Sequence, residues 1–304
     1  MRVLFCNRPK SFWQGGDYFQ MEKTAEALRE LGVEVDITEE YVVKPEVIEL
    51  YDIVHLWNFS MIWTKYQLWV ARKHKKPVVC SMIYHESDEF IPYNLQQIML
   101  NELSAQIYLT ESEKERVIRR LQPIGETYVI PNGIDSFWFK DTKIAKEDIV
   151  LTVGRIEPNK GQLAVARVCN KLGIPYYCIG ELKDPNYGDE LLAEHAILLD
   201  KKEPNELIQW YARAKVFALV SKAEIFPLTV MEAMAQNCQI VLTTTSEWKP
   251  KVQYASYGNL DHIEEAIQEC LETNIDYKTA IKAYTWTACA EQIKQIYEKI
   301  VNNK

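Results

Sequence analysis

Short apolar runs alternate along the chain with longer stretches in which apolar positions recur every three or four residues. The short continuous runs read as strands buried on both faces, and the helical recurrence reads as amphipathic helices. Residues 2–6 predict a strand, Gly15-Gly16 break the chain, and 17–31 predict a helix capped by Asp17 and stopped near Gly32. Strands follow over 33–37, 52–57 and 77–82, with a helix over 61–74. A strand over 106–110 runs into Ser112-Glu113-Lys114-Glu115, which reads as a capping box opening a helix to Leu121. A strand over 127–130 ends at the turn Pro131-Asn132-Gly133.

After a polar stretch the alternation restarts. Strands are predicted near 149–153, 175–179, 196–199, 215–220 and 239–243, and helices near 159–172, 204–213, 228–236, 261–273 and 287–302. Strands alternating with helices imply parallel sheets with helical crossovers. The pattern therefore predicts an α/β protein of two Rossmann-like, doubly wound domains, 1–140 and 141–285. Ligands of such sheets bind beyond the carboxyl ends of the strands, so the expected site is a cleft faced by both domains.

Composition narrows the function. The 304 residues are 47% apolar and carry a net charge of −8, a poor match for nucleic acid. One local basic patch stands out, Arg72, Lys73, Lys75 and Lys76, and reads as a solvated helix end, with at most peripheral membrane contact. No apolar run is long enough to span a bilayer, and Met1–Cys6 is too brief an apolar stretch for a signal peptide. The seven cysteines are scattered, without a C-x-x-C pair, which suits a reduced, cytoplasmic protein rather than a disulfide framework or structural zinc site.

Two segments carry candidate chemistry. In VGRIEPNKG, 153–161, Arg155 and Lys160 fall where a strand tip meets a helix start; cations and free backbone N–H groups there make an anion site of phosphate type. The alternative is a basic pair on a solvated turn. In EIFPLTVMEAMA, 224–235, Pro227 suits the first turn of a helix, which leaves Glu224 in the preceding loop and Glu232 about one turn in. The N–H groups of Leu228 and Thr229 then lie between two carboxylates, an arrangement for one phosphate and several hydroxyl groups. The alternative is an ordinary amphipathic helix with one solvated glutamate. Asn237 is a candidate left-handed stop for that helix.

VGR-x4-KG, followed some sixty residues later by E-x7-E and preceded by IPNGID (130–135), resembles the retaining glycosyltransferases of family 4, glycosyl transferases group 1, which have the GT-B fold. The resemblance extends over nearly the whole chain. It implies transfer of a sugar from a UDP- or GDP-sugar to a carbohydrate or glycoconjugate hydroxyl, with the first domain holding the acceptor and the closing helix, 286–302, packed back upon it. Arg155 and Lys160 would grip the donor diphosphate. Glu224 would contact the sugar hydroxyls and Glu232 the ribose. Phe226, Pro227, Leu228 and Thr229 would hold sugar and phosphate through backbone groups. Gly16 would let the first loop approach the phosphates, and His85 would lie near the sugar. The resemblance implies no enzyme nucleophile, and no D-x-D pair stands out, so neither a metal nor another cofactor is expected. Two departures mark this chain: Pro227 stands where many members have glycine, and Thr244-Thr245-Ser246-Glu247-Trp248 replaces a glycine-rich turn. The competing readings are a catalytically idle nucleotide-sugar-binding module and another GT-B enzyme, such as a sugar-nucleotide epimerase.

Overall fold

A computed structural model describes residues 1–7, 15–38, 40, 43–59, 61–84, 92–123 and 125–302. The chain separates into two compact units, Met1–Gly133 with Tyr284–Lys304, and Ile134–Ala283.

In the first unit, six strands form one parallel sheet in the order β2-β1-β3-β4-β5-β6. They are β1 (Arg2–Cys6), β2 (Glu34–Thr38), β3 (Ile53–Trp57), β4 (Val78–Ser81), β5 (Ala105–Tyr108) and β6 (Glu126–Val129). Helices α1 (Gly16–Glu30), α2 (Pro45–Ile48), α3 (Ile62–Lys73), α4 (Tyr93–Asn101) and α5 (Glu111–Leu121) make the connections. The central strands β3, β4 and β5 are buried at every position, as strands covered on both faces must be. The last helix, α12 (Trp286–Asn302), belongs to this unit and packs on α1. Inside it, Tyr297 Oη meets His55 Nδ1, while His55 Nε2 lies 3.0 Å from Ser81 Oγ.

The second unit repeats the plan. Strands β7 (Glu147–Val153), β8 (Tyr176–Ile179), β9 (Ile197–Leu199), β10 (Ala214–Leu219), β11 (Gln239–Thr243) and β12 (Gln253–Ala255) pair in parallel in the order β12-β11-β10-β7-β8-β9. Helices α6 (Gln162–Leu172), α7 (Pro185–Ala193), α8 (Pro204–Arg213), α9 (Leu228–Ala235), α10 (Leu260–Glu272) and α11 (Tyr277–Ile281) complete it. The chain leaves β7 toward β8 on one side, and leaves β10 toward β11 on the other. Neighbouring β7 and β10 therefore form the switch point of the sheet, where the loops beyond the strand ends diverge and open a crevice.

Three local expectations are corrected. The cap of α5 is Thr110, not Ser112: Thr110 Oγ1 accepts from Glu113 N at 3.0 Å. What fixes this frame is the buried Glu113 carboxylate, which accepts from Leu109 N at 2.7 Å and from Tyr84 N at 2.8 Å. Helix α1 is preceded by Gly15 with no side-chain cap, and Asp17 lies in its first turn. The helix expected over 159–172 is interrupted: Pro158–Lys160 form a 3-10 turn, Gly161 adopts φ +70°, and α6 starts at Gln162. A Cβ at Gly161 would stand 2.2 Å from the carbonyl oxygen of Val220, so the close approach of β10's end requires glycine there. The strand β12 and the short helices α2, α4, α7 and α11 carry no prediction from the sequence pattern.

Candidate active site

The loops that leave β7 and β10 carry the two motifs, and the switch point brings them together. Lys222 N donates to Asn159 O at 2.8 Å, which knits the loops through their backbones. Lys160, at the end of the 3-10 turn, then reaches Glu224: Nζ to Oε1 is 2.7 Å, a charge-assisted bond with both side chains largely buried. Sixty-four residues of sequence separate the pair.

Arg155 lies one residue beyond Gly154 in the same β7 loop, with Nη2 3.0 Å from Glu157 Oε1. Its carbonyl accepts from Gln162 Nε2 at 2.7 Å, which anchors the loop to the first turn of α6. Pro227 is the N-cap of α9 and lies just outside the helix rather than in its first turn. It offers no side-chain acceptor, so the first-turn N–H groups at Leu228 and Thr229 are not capped by a side chain.

Glu232 points to a different neighbour. Its Oε2 accepts from Tyr211 Oη of α8 at 2.8 Å. Removal from water pushes its carboxyl up to about 7, with Asp135 adding to the rise and the Tyr211 hydroxyl opposing it. The structure thus divides the two glutamates: Glu224 pairs with a cation, and Glu232 with a buried phenol. Asn237 ends the segment at φ +53° and accepts from Lys278 N at 2.9 Å.

A pH dependence follows. Because the folded pKa of Glu232 exceeds its ordinary value of 4.5, the folded state holds the proton more tightly than the unfolded chain does. Stability therefore falls as pH rises from 4.5 to 7 and stays at the lower level above, a loss of up to about 3 kcal/mol. Glu232→Gln is expected to be the more stable protein at pH 8 and to lose this slope. Urea midpoints of both proteins that run in parallel from pH 5 to 8 would refute it.

The loop over 244–248, marked in the sequence as a departure, takes a part there that the sequence does not show. Glu247 N donates to Glu224 O at 2.8 Å and Trp248 N to Ile225 O at 2.9 Å, so the loop after β11 pairs with the Glu224 segment as a short parallel bridge. The Trp248 ring stacks on Phe226 with centroids 4.5 Å apart. Glycines could make the backbone bonds but not the ring contact. Ser221, two residues beyond β10, buries its hydroxyl without a hydrogen-bond partner among the described residues. Its one signal is its place, a polar residue between a strand end and Glu224. Of the remaining expected site residues, Gly16 opens α1 in the first unit, and His85 lies outside the described residues.

Paired parallel six-stranded sheets with this strand order define the GT-B architecture of glycosyltransferases. Sucrose-phosphate synthase from Thermosynechococcus elongatus superposes with a TM-score of 0.78 over 100% of both chains at 14% identity. HepE of Anabaena, solved in complex with UDP, gives 0.73 at 18% identity over 100% of this chain and 99% of its own. The profile of the family described as glycosyl transferases group 1 matches residues 135–299, and the chain belongs to that family. A curated relative, a probable sucrose-phosphate synthase from Thermosipho melanesiensis, is 25% identical over 244 residues. That match takes in 69% of this chain and 57% of the relative, so the chain spans little more than half of that protein's length.

Proposed function

We propose that this group 1 glycosyltransferase is a retaining, family 4 enzyme that moves a sugar from a nucleotide-diphosphate sugar to an acceptor hydroxyl. The observation that carries the reading is the Lys160–Glu224 pair at the β7/β10 switch point, beside the uncapped start of α9. Breaking the anomeric C–O bond builds positive charge on the sugar ring and negative charge on the departing diphosphate. Lys160, Arg155 and the N–H groups of Leu228 and Thr229 are a preorganised set of positive ends for that leaving group. Glu224, released from Lys160 when the diphosphate takes the ammonium, is free to accept from sugar hydroxyls. Glu232 and Tyr211 form the polar pair assigned to the ribose, and the backbone at Phe226 and Pro227 holds the sugar. Gly16 and His85 are assigned to the donor from the first unit, which takes the acceptor.

UDP-sugars are favoured as donors: HepE was solved with UDP-glucose as well as UDP, and an E. coli trehalose-6-phosphate structure similar to this chain is bound with UDP-2-fluoro glucose. The two cations take the electrostatic part that a divalent ion plays elsewhere, so no metal is needed.

A thermal-shift panel of UDP- and GDP-sugars tests the site. A donor at 100 times its Kd should raise stability by about 2.7 kcal/mol. Arg155→Ala is expected to abolish that shift while leaving the ligand-free melting temperature within a few degrees. Turnover with the selected donor should withstand chelation and give a product of the donor's anomeric configuration. An inverted product, a chelator-sensitive rate, or an undiminished shift in Arg155→Ala counts against the reading.

A further inference from the structure

Residues 61–76 carry five Lys or Arg and no Asp or Glu, in a chain whose net charge is −8. The structure adds what the charge pattern lacked. On α3, Tyr66, Trp69 and Lys73 recur at helical spacing and face outward together; Trp69 is 63% exposed and Tyr66 45%. Lys73 Nζ stands 5.3 Å over the Trp69 ring, and Lys65 Nζ stands 5.8 Å over the Tyr66 ring. Cations suit a helix C-terminus, which accounts for Arg72 and Lys73, but nothing in that account asks for an outward tryptophan one turn earlier.

The patch continues beyond α3. Lys76 Nζ donates to the carbonyls of Glu49 and Tyr51 at 2.9 and 2.7 Å, which holds Leu50, 58% exposed, against the end of α3. Arg72 Nε donates to Glu102 at 2.9 Å, and one turn before Glu102, on the same side of the chain, stands Ile98, 61% exposed. The nearby carboxylates are engaged: Glu102 by Arg72, and Glu49 by His74 Nδ1 at 3.2 Å. Lys65, Lys73 and Lys75 have no carboxylate partner among the described residues.

We propose that this face of the first unit docks on an anionic lipid bilayer. Apolar and aromatic side chains ringed by lysines fit the headgroup region, where rings sit at the boundary and ammonium groups meet lipid phosphates. Among the described residues no helix is long and apolar enough to cross a membrane, so the contact lies along the surface. A double-stranded nucleic acid would use the lysines but leave Trp69, Leu50 and Ile98 without a role.

Co-sedimentation of the full chain with vesicles tests this, using two parts phosphatidylcholine to one part phosphatidylglycerol against phosphatidylcholine alone. Binding to the anionic vesicles, weak binding to the neutral ones, and release at about 1 M salt are expected. Lys73→Glu should weaken binding by an order of magnitude or more, and Trp69→Ala by about tenfold; Lys73→Gln should fall between Lys73→Glu and the parent. These positions are exposed, and unchanged melting temperatures confirm that the variants fold. Failure of the parent chain to sediment with anionic vesicles overturns the proposal. So does equal binding to both vesicle types, unaltered binding by Trp69→Ala, or tighter binding to a DNA duplex at the same salt.

Discussion

Lys160→Ala is expected to lower kcat by about 10²–10³ while the protein stays folded. On the proposed mechanism the ammonium meets the charge that grows on the departing diphosphate, and alanine removes it without replacing its charge. Glu224→Ala should be similarly impaired for a different reason, since it removes the acceptor proposed for sugar hydroxyls. Stability separates the two roles from a merely structural one. Each single change leaves a largely buried charge without its partner 2.7 Å away, and should cost roughly 1–3 kcal/mol. The double variant should cost clearly less than the two singles summed, because it leaves neither charge stranded. Lys160→Arg should restore most of the stability but little of the turnover, since the longer, planar guanidinium keeps the pairing with Glu224 but carries its charge in a different place from the compact ammonium. Variants that retain full turnover, or lose it only in step with their melting temperature, would show the pair to be a strut.

The pair also shows where the sequence is transparent and where it is not. Lys160 and Glu224 each stand out on local grounds, one beside a glycine turn and one ahead of a proline-capped helix. Their direct bond is not visible from those grounds, because it depends on β7 and β10 being neighbours. The strand order decides that, and period alone does not specify it. The fold class itself is legible: runs such as Val78–Ser81 are almost wholly apolar and buried at every position because helices cover both faces of their sheets. The missed elements are those that lean on context. Helix α7 carries Gly188 at its centre, packed against Leu182, and its start is set by Asp184, whose carboxylate accepts from Asn186 N at 3.0 Å. Strand β12 has three residues, too few for a period. The cap of α5 lies two residues before the one the sequence predicts, because Ser112 and Thr110, each with a glutamate three residues on, are equivalent locally. The carboxylate of Glu113, held by the backbone N–H of Leu109 in the turn before the helix and by that of Tyr84 beyond β4, breaks the tie. The bridge between Ser246 and Glu224 follows the same logic, since tertiary placement turns a polar loop into a strand-like partner.

Acid should destabilise the first unit through one histidine. His55 is fully buried in β3, stacked on Trp57 at 4.9 Å and bonded to Ser81 and to Tyr297 of α12. Burial drives its pKa from the usual 6.5 down to about 3, so the folded protein keeps the imidazole neutral. Protons therefore bind the unfolded chain first. The stabilisation is complete above pH 6.5 and is lost as pH falls from 6.5 toward 3, by up to about 5 kcal/mol. That is a large share of the roughly 5–15 kcal/mol that holds a typical domain together. His55→Gln keeps an acceptor and a donor for Tyr297 and Ser81 but cannot be protonated. It should be less stable than the parent at pH 7.5, through imperfect packing, and should close the gap or overtake as pH approaches 4. Carboxylates titrate in both proteins, so they cancel in the difference. The measurement is the urea unfolding free energy of parent and variant from pH 7.5 to 4. A difference that stays constant across that range would mean that His55 is not the group whose neutrality ties α12 to the sheet.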